Sequence, residues 1–180
     1  MPKTKTAYSQ TEKIRLIVMT GLFAAVTYIF TAYFHIPSGA GYTHAGDGII
    51  YLAACLLPAP YAAAAGAIGG ALADGLSGFA IWMPATIIIK AVTALFFTNK
   101  SEKILTLRNI FGIIPSLILC IVGYSLYEGI VIAKGFSIAA ILAAFQQVPA
   151  YCVQVLASSV LFIITAAAFD KSGIKKRFMK

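Results

Sequence analysis

The chain has 180 residues, 60% hydrophobic and only 11% charged, with a net charge of +8. Soluble domains carry roughly 25% charged residues, and uncharged apolar runs of about 18 residues or more are read as membrane-spanning helices. This composition excludes an ordinary soluble domain, leaves no room for a separate nucleotide-binding domain, and comes without a GxxxxGK[ST] phosphate loop; any ATPase would be another chain.

Six apolar segments follow in order, at about 14–34, 47–57, 61–76, 81–98, 110–132 and 138–169. Together they predict one all-α integral-membrane domain over 1–180. The basic residues ahead of the first segment superficially resemble a signal peptide. Its run at 16–34 is too long for a signal h-region, so it is expected to stay as the first helix. The second segment stops at Pro58 and Pro60, where a helix loses donors. The second and third barely reach across a hydrocarbon core of about 30 Å, so tilted or incomplete crossings are expected there. Pro149 predicts a kink in the long sixth segment.

Charge sets the expected orientation. With both termini on the cytoplasmic side, that side receives Lys3, Lys5, Lys13, Arg15, Lys100, Lys103, Arg108, Lys171, Lys175, Lys176, Arg177 and Lys180. Of the 14 basic residues only Lys90 and Lys134 fall elsewhere. This positive-inside bias requires an even number of crossings. Basic residues beside apolar segments suit lipid headgroups and topology, not nucleic acid. The same topology collects Asp47, Asp74 and Glu128 toward the outer side and leaves Glu12, Glu102 and Asp170 as ordinary juxtamembrane charges. Cys55, Cys120 and Cys152 stand apart in apolar stretches without ligand spacing, so no metal, disulfide or cofactor is expected.

Several clusters carry chemistry. The stretch YTHAGD, with Tyr42, His44 and Asp47, ends the Pro/Gly-rich connection FHIPSGAG and predicts a loop forming one wall of a polar pocket. Asp47 has two readings of equal weight, helix capping and ligand binding. Lys90, the costliest residue to expose to lipid, must face inward and pair with a carboxylate. A structural ion pair with Asp74 is preferred to direct ligand contact. Trp82 shares a face with Thr86 and Lys90, and either belongs to an interfacial aromatic belt or stacks on a flat ring. Tyr124 and Glu128 share a face of the fifth segment. Gln147, Tyr151, Gln154 and Ser158 form a polar stripe in the sixth, which must point inward. It is read either as interhelical glue or as a line of amides and phenols around a cavity. Gly21 and Ala25 make a small-xxx-small pair that is common by chance and suits close helix approach. There is no HExxH or GxSxG.

The stretch GYTHAGDGIIYLAACLLPAPYAAAAGAIGGALADGLSGFAIWMPATIIIKAV, with TGLFAA in the first segment, resembles the substrate-binding S components of energy-coupling factor (ECF) transporters. The closest group is the riboflavin-type or hydroxymethylpyrimidine/pyridoxine-type. That resemblance implies a six-helix membrane protein that takes a vitamin or precursor from outside and associates with a transmembrane T subunit and two cytoplasmic ATPases. It implies contact of Gly21 and Ala25 with the T subunit, Gly21 replacing the alanine of an AxxxA pattern, and a pocket between the first loop and helices four to six. The candidate binding residues are then Tyr42, His44, Asp47, Trp82, Lys90, Tyr124, Glu128, Gln147 and Tyr151. Two other classes remain open from the residues alone: a small membrane enzyme using the outer carboxylates, and a structural subunit of another membrane complex. The residues do not name the ligand, but the carboxylates near the mouth favour a neutral or cationic one.

Overall fold

The computed structural model describes residues 8–38 and 41–178. Lys3, Lys5 and Lys180, counted above among the basic residues, lie outside the described residues, as does the side chain of Arg177.

Helix α1 (Gln10–Ala32) begins four residues before the expected start. The cause is a capping box: the Ser9 backbone N–H donates to Glu12 Oε2 at 2.7 Å, and the Glu12 N–H donates to Ser9 Oγ at 3.2 Å, which satisfies orphan donors of the first turn. One face of α1 (Thr20, Phe23, Ala24, Thr27, Thr31) is buried against α3. The other exposes Ile14, Ile17, Val18 and Leu22.

The connection after α1 is an antiparallel hairpin and not a loop. β1 (His35–Ser38) pairs with β2 (Gly41–His44), His35 opposite His44 and Ser38 opposite Gly41. Proline in β1 removes a ladder donor, which is tolerated in a hairpin that has only edges. The expected all-α architecture is corrected to this extent.

Helix α2 (Asp47–Leu56) has ten residues, all buried. At about 15 Å it cannot cross a membrane by itself; it is the core around which the other helices pack. Tyr51 stacks on Phe97 with ring centroids 4.5 Å apart, and its hydroxyl bonds Ser116 Oγ at 2.8 Å. Pro58 and Pro60 end α2 and start α3 (Ala59–Leu76), where a missing N–H costs nothing. A short 3₁₀ turn (Ala80–Trp82) leads into α4 (Met83–Ala94). Then come α5 (Leu107–Phe111), α6 (Ile113–Tyr127) with a π-helical turn at Glu128–Ile132, and α7 (Ile138–Ala144). The expected break near Pro149 is a 3₁₀ turn at Phe145–Gln147, which places the proline in the first turn of α8 (Val148–Ser172). A short α9 (Ile174–Phe178) follows.

Among the described residues three helical stretches are long and apolar enough to cross a membrane: Gln10–Ala32, Leu107–Ile132 and Ile138–Ser172. Asp47–Leu56 and Ala80–Ala94 are apolar but shorter.

The bundle has two chemically different ends. At one, the hairpin meets the end of α3 and the starts of α4 and α8. At the other, Asp170 takes the backbone N–H groups of Ile104 and Leu105 at 2.8 and 2.9 Å, and Asn109 donates to the carbonyls of Thr98 and Ile104. Asp170 is thus a clamp on the connection after α4, not an ordinary juxtamembrane charge. The basic residues of that connection and of α9 gather at this second end.

The α1–α3 contact yields a test. A Cβ at Gly69 would stand 2.6 Å from the Ala24 carbonyl oxygen and 2.7 Å from Thr27 Cβ, whereas one at Gly21 would meet nothing within 4 Å. Gly69→Ala should cost about 1–3 kcal/mol through overpacking and lower the melting temperature in detergent; Gly21→Ala should leave it unchanged. Equal melting temperatures for the two variants would contradict this packing.

Candidate functional site

At the hairpin end the polar side chains converge on one small cavity, with about 40 Å³ open to the centre of a water molecule. It is lined by Ser38, Gly41, Tyr42, His44, Asp74, Trp82, Thr86, Tyr124, Gln147, Tyr151 and Gln154. The hairpin supplies one wall, α3 and α4 the next, and α6 and α8 the rest. A second cavity at the opposite end, about 140 Å³, has a lining of mixed charge: Glu102, Lys103, Phe169, Asp170, Gly173, Lys175 and Lys176. Asp170 there is already spent on the backbone, so the hairpin-end cavity is the better candidate for solute binding.

Of the residues singled out from the sequence, Tyr42, His44, Trp82, Tyr124, Gln147 and Tyr151 line the cavity. Asp47, Lys90 and Glu128 do not; they stand behind it. Lys90 Nζ lies 2.7 Å from Asp47 Oδ1, with both side chains almost wholly buried. The expected Asp74–Lys90 pair is therefore corrected to Asp47–Lys90. The reason is the position of α2. Its first turn reaches the middle of the bundle, and the stem of Lys90 passes over Gly70, where a Cβ would come 3.2 Å from Lys90 Cγ. Asp74 has another partner: the Tyr42 hydroxyl donates to its Oδ1 at 2.6 Å. Burial and the neighbouring Asp74 carboxyl push the Tyr42 hydroxyl above its ordinary pKa, so it remains a donor.

Asp47 also does not cap α2. Gly46 holds the cap position without a side-chain bond, and Asp47 sits in the first turn, where the helix dipole favours a negative charge. Its Oδ2 accepts from Gln154 Nε2 at 2.9 Å. On the other side of the cavity Gln147 Nε2 donates to both oxygens of Glu128, at 3.2 and 3.1 Å.

His44 Nδ1 accepts the Gly46 N–H at 3.1 Å, which leaves Nε2 as the protonated nitrogen of the neutral ring. Burial keeps that ring neutral, pushing its pKa down to about 3. Trp82 is 6% exposed and packs edge-on against Tyr124 at 5.8 Å, so it is a cavity wall and not part of an interfacial belt. Tyr124 and Tyr151 stack at 5.8 Å, and the Tyr124 hydroxyl bonds Thr86 Oγ1 at 3.0 Å. The lining thus offers flat aromatic faces, two amides, hydroxyls, an imidazole and one carboxyl, and it contains no Lys or Arg.

Ser38, Gly41, Asp74, Thr86 and Gln154 complete the lining outside the candidate binding set; Asp74 was expected in an ion pair instead. Thr86 and Gln154 were signalled by their helical spacing from Trp82 and Tyr151. Ser38 and Gly41 were hidden in a stretch read as a loop, although the short connection between two extended runs was the available hint. Gly21 and Ala25 are exposed on α1 and lie far from the cavity, so packing within this bundle does not account for them.

A family model described as ECF-type riboflavin transporter, S component, matches residues 11–171. Comparison with curated proteins gives no significant match.

The buried pair makes a double-mutant prediction. Lys90→Met alone strands Asp47 and should cost about 3–5 kcal/mol. Adding Asp47→Asn should recover part of that loss, because no charge is then left uncompensated. Chemical unfolding in detergent measures both; additive losses in the double variant would count against the pairing.

Proposed function

Because the chain belongs to the S-component family of ECF-type transporters, we propose that it is the subunit that captures a small water-soluble vitamin or vitamin precursor at the outer membrane face. In this reading it is a multi-pass membrane protein and a binding subunit, not an enzyme. Uptake is driven by a transmembrane T subunit and two cytoplasmic ATPases, consistent with the absence of a phosphate loop from this chain. Six crossings with both termini cytoplasmic fit the gathering of basic residues at the end opposite the cavity.

The observation that carries the proposal is the convergence of the hairpin, α3, α4, α6 and α8 on a polar cavity at the hairpin end. Its chemistry favours a single-ring, hydroxymethylpyrimidine- or pyridoxine-like ligand over riboflavin, which the family description names. The cavity as it stands is narrow, and a single ring asks less rearrangement of its walls than a three-ring system with a polyol tail. Trp82, Tyr124 and Tyr151 offer aromatic faces to a flat ring. A lining with one carboxyl and no basic side chain suits a neutral or cationic solute and disfavours a carboxylate-bearing one. Tyr42, His44, Trp82, Tyr124, Gln147 and Tyr151 are the proposed contacts, now joined by Asp74 and Gln154. Asp47, Lys90 and Glu128 act from behind.

The outward face of α1 is the proposed T-subunit contact. Gly21 and Ala25 stand between exposed Ile17, Val18 and Leu22, and small residues there let a partner helix approach closely. The rest of the apolar exterior meets lipid.

A thermal-shift screen of the purified chain against water-soluble vitamins and their precursors, followed by calorimetry, tests the reading. A single-ring heterocycle should stabilise the protein, by roughly 4 kcal/mol at a thousandfold excess over its dissociation constant, and riboflavin should do less. Stabilisation by biotin or folate alone would sink the substrate assignment, and a well-folded chain stabilised by none of them would sink the capture role. Gly21→Leu should abolish co-purification with the T subunit while ligand affinity stays within about twofold; loss of both together would place the residue in the fold and not in the contact.

A further inference from the structure

We propose that Glu128 and Asp47 set the hydrogen-bond polarity of the cavity by locking the amides of Gln147 and Gln154, so that the pocket selects ligands that donate at two positions. The inference rests on the cavity being the ligand site, and it goes further by assigning the chemistry that the site selects.

An ionised carboxylate accepts hydrogen bonds and does not donate them, so an amide facing one must present its NH₂. The orientation of each glutamine is therefore fixed by its neighbour. The Gln147 nitrogen lies 3.2 and 3.1 Å from the two oxygens of Glu128. The Gln154 nitrogen is directed to Asp47 Oδ2 at 2.9 Å and to Cys120 Sγ at 3.7 Å, which occupies both of its protons. Neither amide carbonyl has a protein partner among the described residues, and both side chains line the cavity. Two carbonyl oxygens, carried by different elements, are thus acceptors left for a ligand, beside Asp74 Oδ2 and the His44 Nε2–H.

The two locks are independent. Glu128 opens the π-helical turn after α6, and Gln147 closes the 3₁₀ turn before α8. Asp47 belongs to the buried α2 and is itself held by Lys90. Interhelical glue accounts for either bond taken singly. It does not account for both amides of the lining being turned the same way by carboxylates that stay outside the lining. The ligand class that satisfies two fixed carbonyls carries amine N–H or hydroxyl O–H groups on a flat ring. An analogue with acceptors at those positions leaves a buried carbonyl facing a lone pair, the costlier way to mismatch a polar site. Glu128 and Asp47 are positioning residues in this scheme, since neither touches the ligand.

The test compares an aminopyrimidine bearing a hydroxymethyl group with its methoxy counterpart, in which the ring amine is replaced by an acceptor. Calorimetry on the full-length chain in detergent reads the ratio of their affinities. Wild type should prefer the amine by roughly ten- to a hundredfold. Glu128→Gln frees the Gln147 amide to rotate, and the ratio should fall to within a few-fold. Gln147→Leu removes that carbonyl and should shrink the ratio similarly, which keeps the test informative if the first variant folds poorly. Asp47 is left intact because Lys90 depends on it. Two outcomes overturn the inference: a wild-type ratio near one, or an unchanged ratio in well-folded Glu128→Gln. If wild type binds neither probe and no vitamin in the screen stabilises it, the ligand-site reading itself has failed. If it binds another vitamin instead, the ratio for that vitamin and its methylated derivative decides in the same way.

Discussion

The structure depends on one buried ion pair. Lys90 and Asp47 meet at 2.7 Å with both side chains out of contact with solvent. Two charges in so apolar a setting lose several kcal/mol each in desolvation, and close contact recovers that only with good geometry and further hydrogen bonds. Here one further hydrogen bond and one cation–ring contact support the pair. Gln154 donates to the second Asp47 oxygen, and the Lys90 ammonium lies 5.3 Å from the centre of the Tyr124 ring. The pair ties α2 to α4, and through Gln154 to α8, so three elements share one electrostatic constraint.

That constraint gives α2 its place. A ten-residue helix with every residue buried has no lipid-facing side and cannot be positioned by the membrane. It is held by aromatic packing at its middle, where Tyr51 meets Phe97 and Phe162, and by the ion pair at its first residue. The cavity lies just above the pair. Gln154 is shared between the two, so the electrostatic centre of the fold and the floor of the proposed capture site are parts of one network. A polar network in a low-dielectric interior rewards full satisfaction and penalises gaps, so an unpaired group of this floor gains from meeting a ligand. The hairpin covers the opposite wall and is joined to the bundle through the Tyr42–Asp74 bond and the Tyr42–Phe79 ring contact.

Much of this was legible in the chain itself. Hydropathy marked the long helices, prolines marked the α2–α3 break and the start of α8, and the grouping of Lys and Arg separated the two ends. The inward polar stripe from Gln147 through Gln154 followed from the rule that polar groups in lipid must be satisfied internally. The hairpin was not legible, because four-residue strands around Pro37 are too short for an alternating pattern to stand out from a loop. The choice of partner for Lys90 was not legible either. Asp47 and Asp74 both lay at the correct depth, and sequence spacing holds no information on which of two carboxylates a flexible four-carbon stem will reach.

The sequence by itself determined the membrane environment, the inward burial of Lys90, the polarity of the two ends and the residue types gathered at one of them. These follow from transfer free energies, which depend on composition and local order along the chain. Only the tertiary structure decided which groups face the cavity and which stand behind it. Asp74 lines the cavity and Asp47 does not, and the two glutamine side chains direct their amide nitrogens to carboxylates outside the lining. Those assignments rest on distances of about 3 Å between residues as far apart in the chain as 47 and 154. Distances of that kind are fixed by how helices pack, and by nothing that can be read along a single helix.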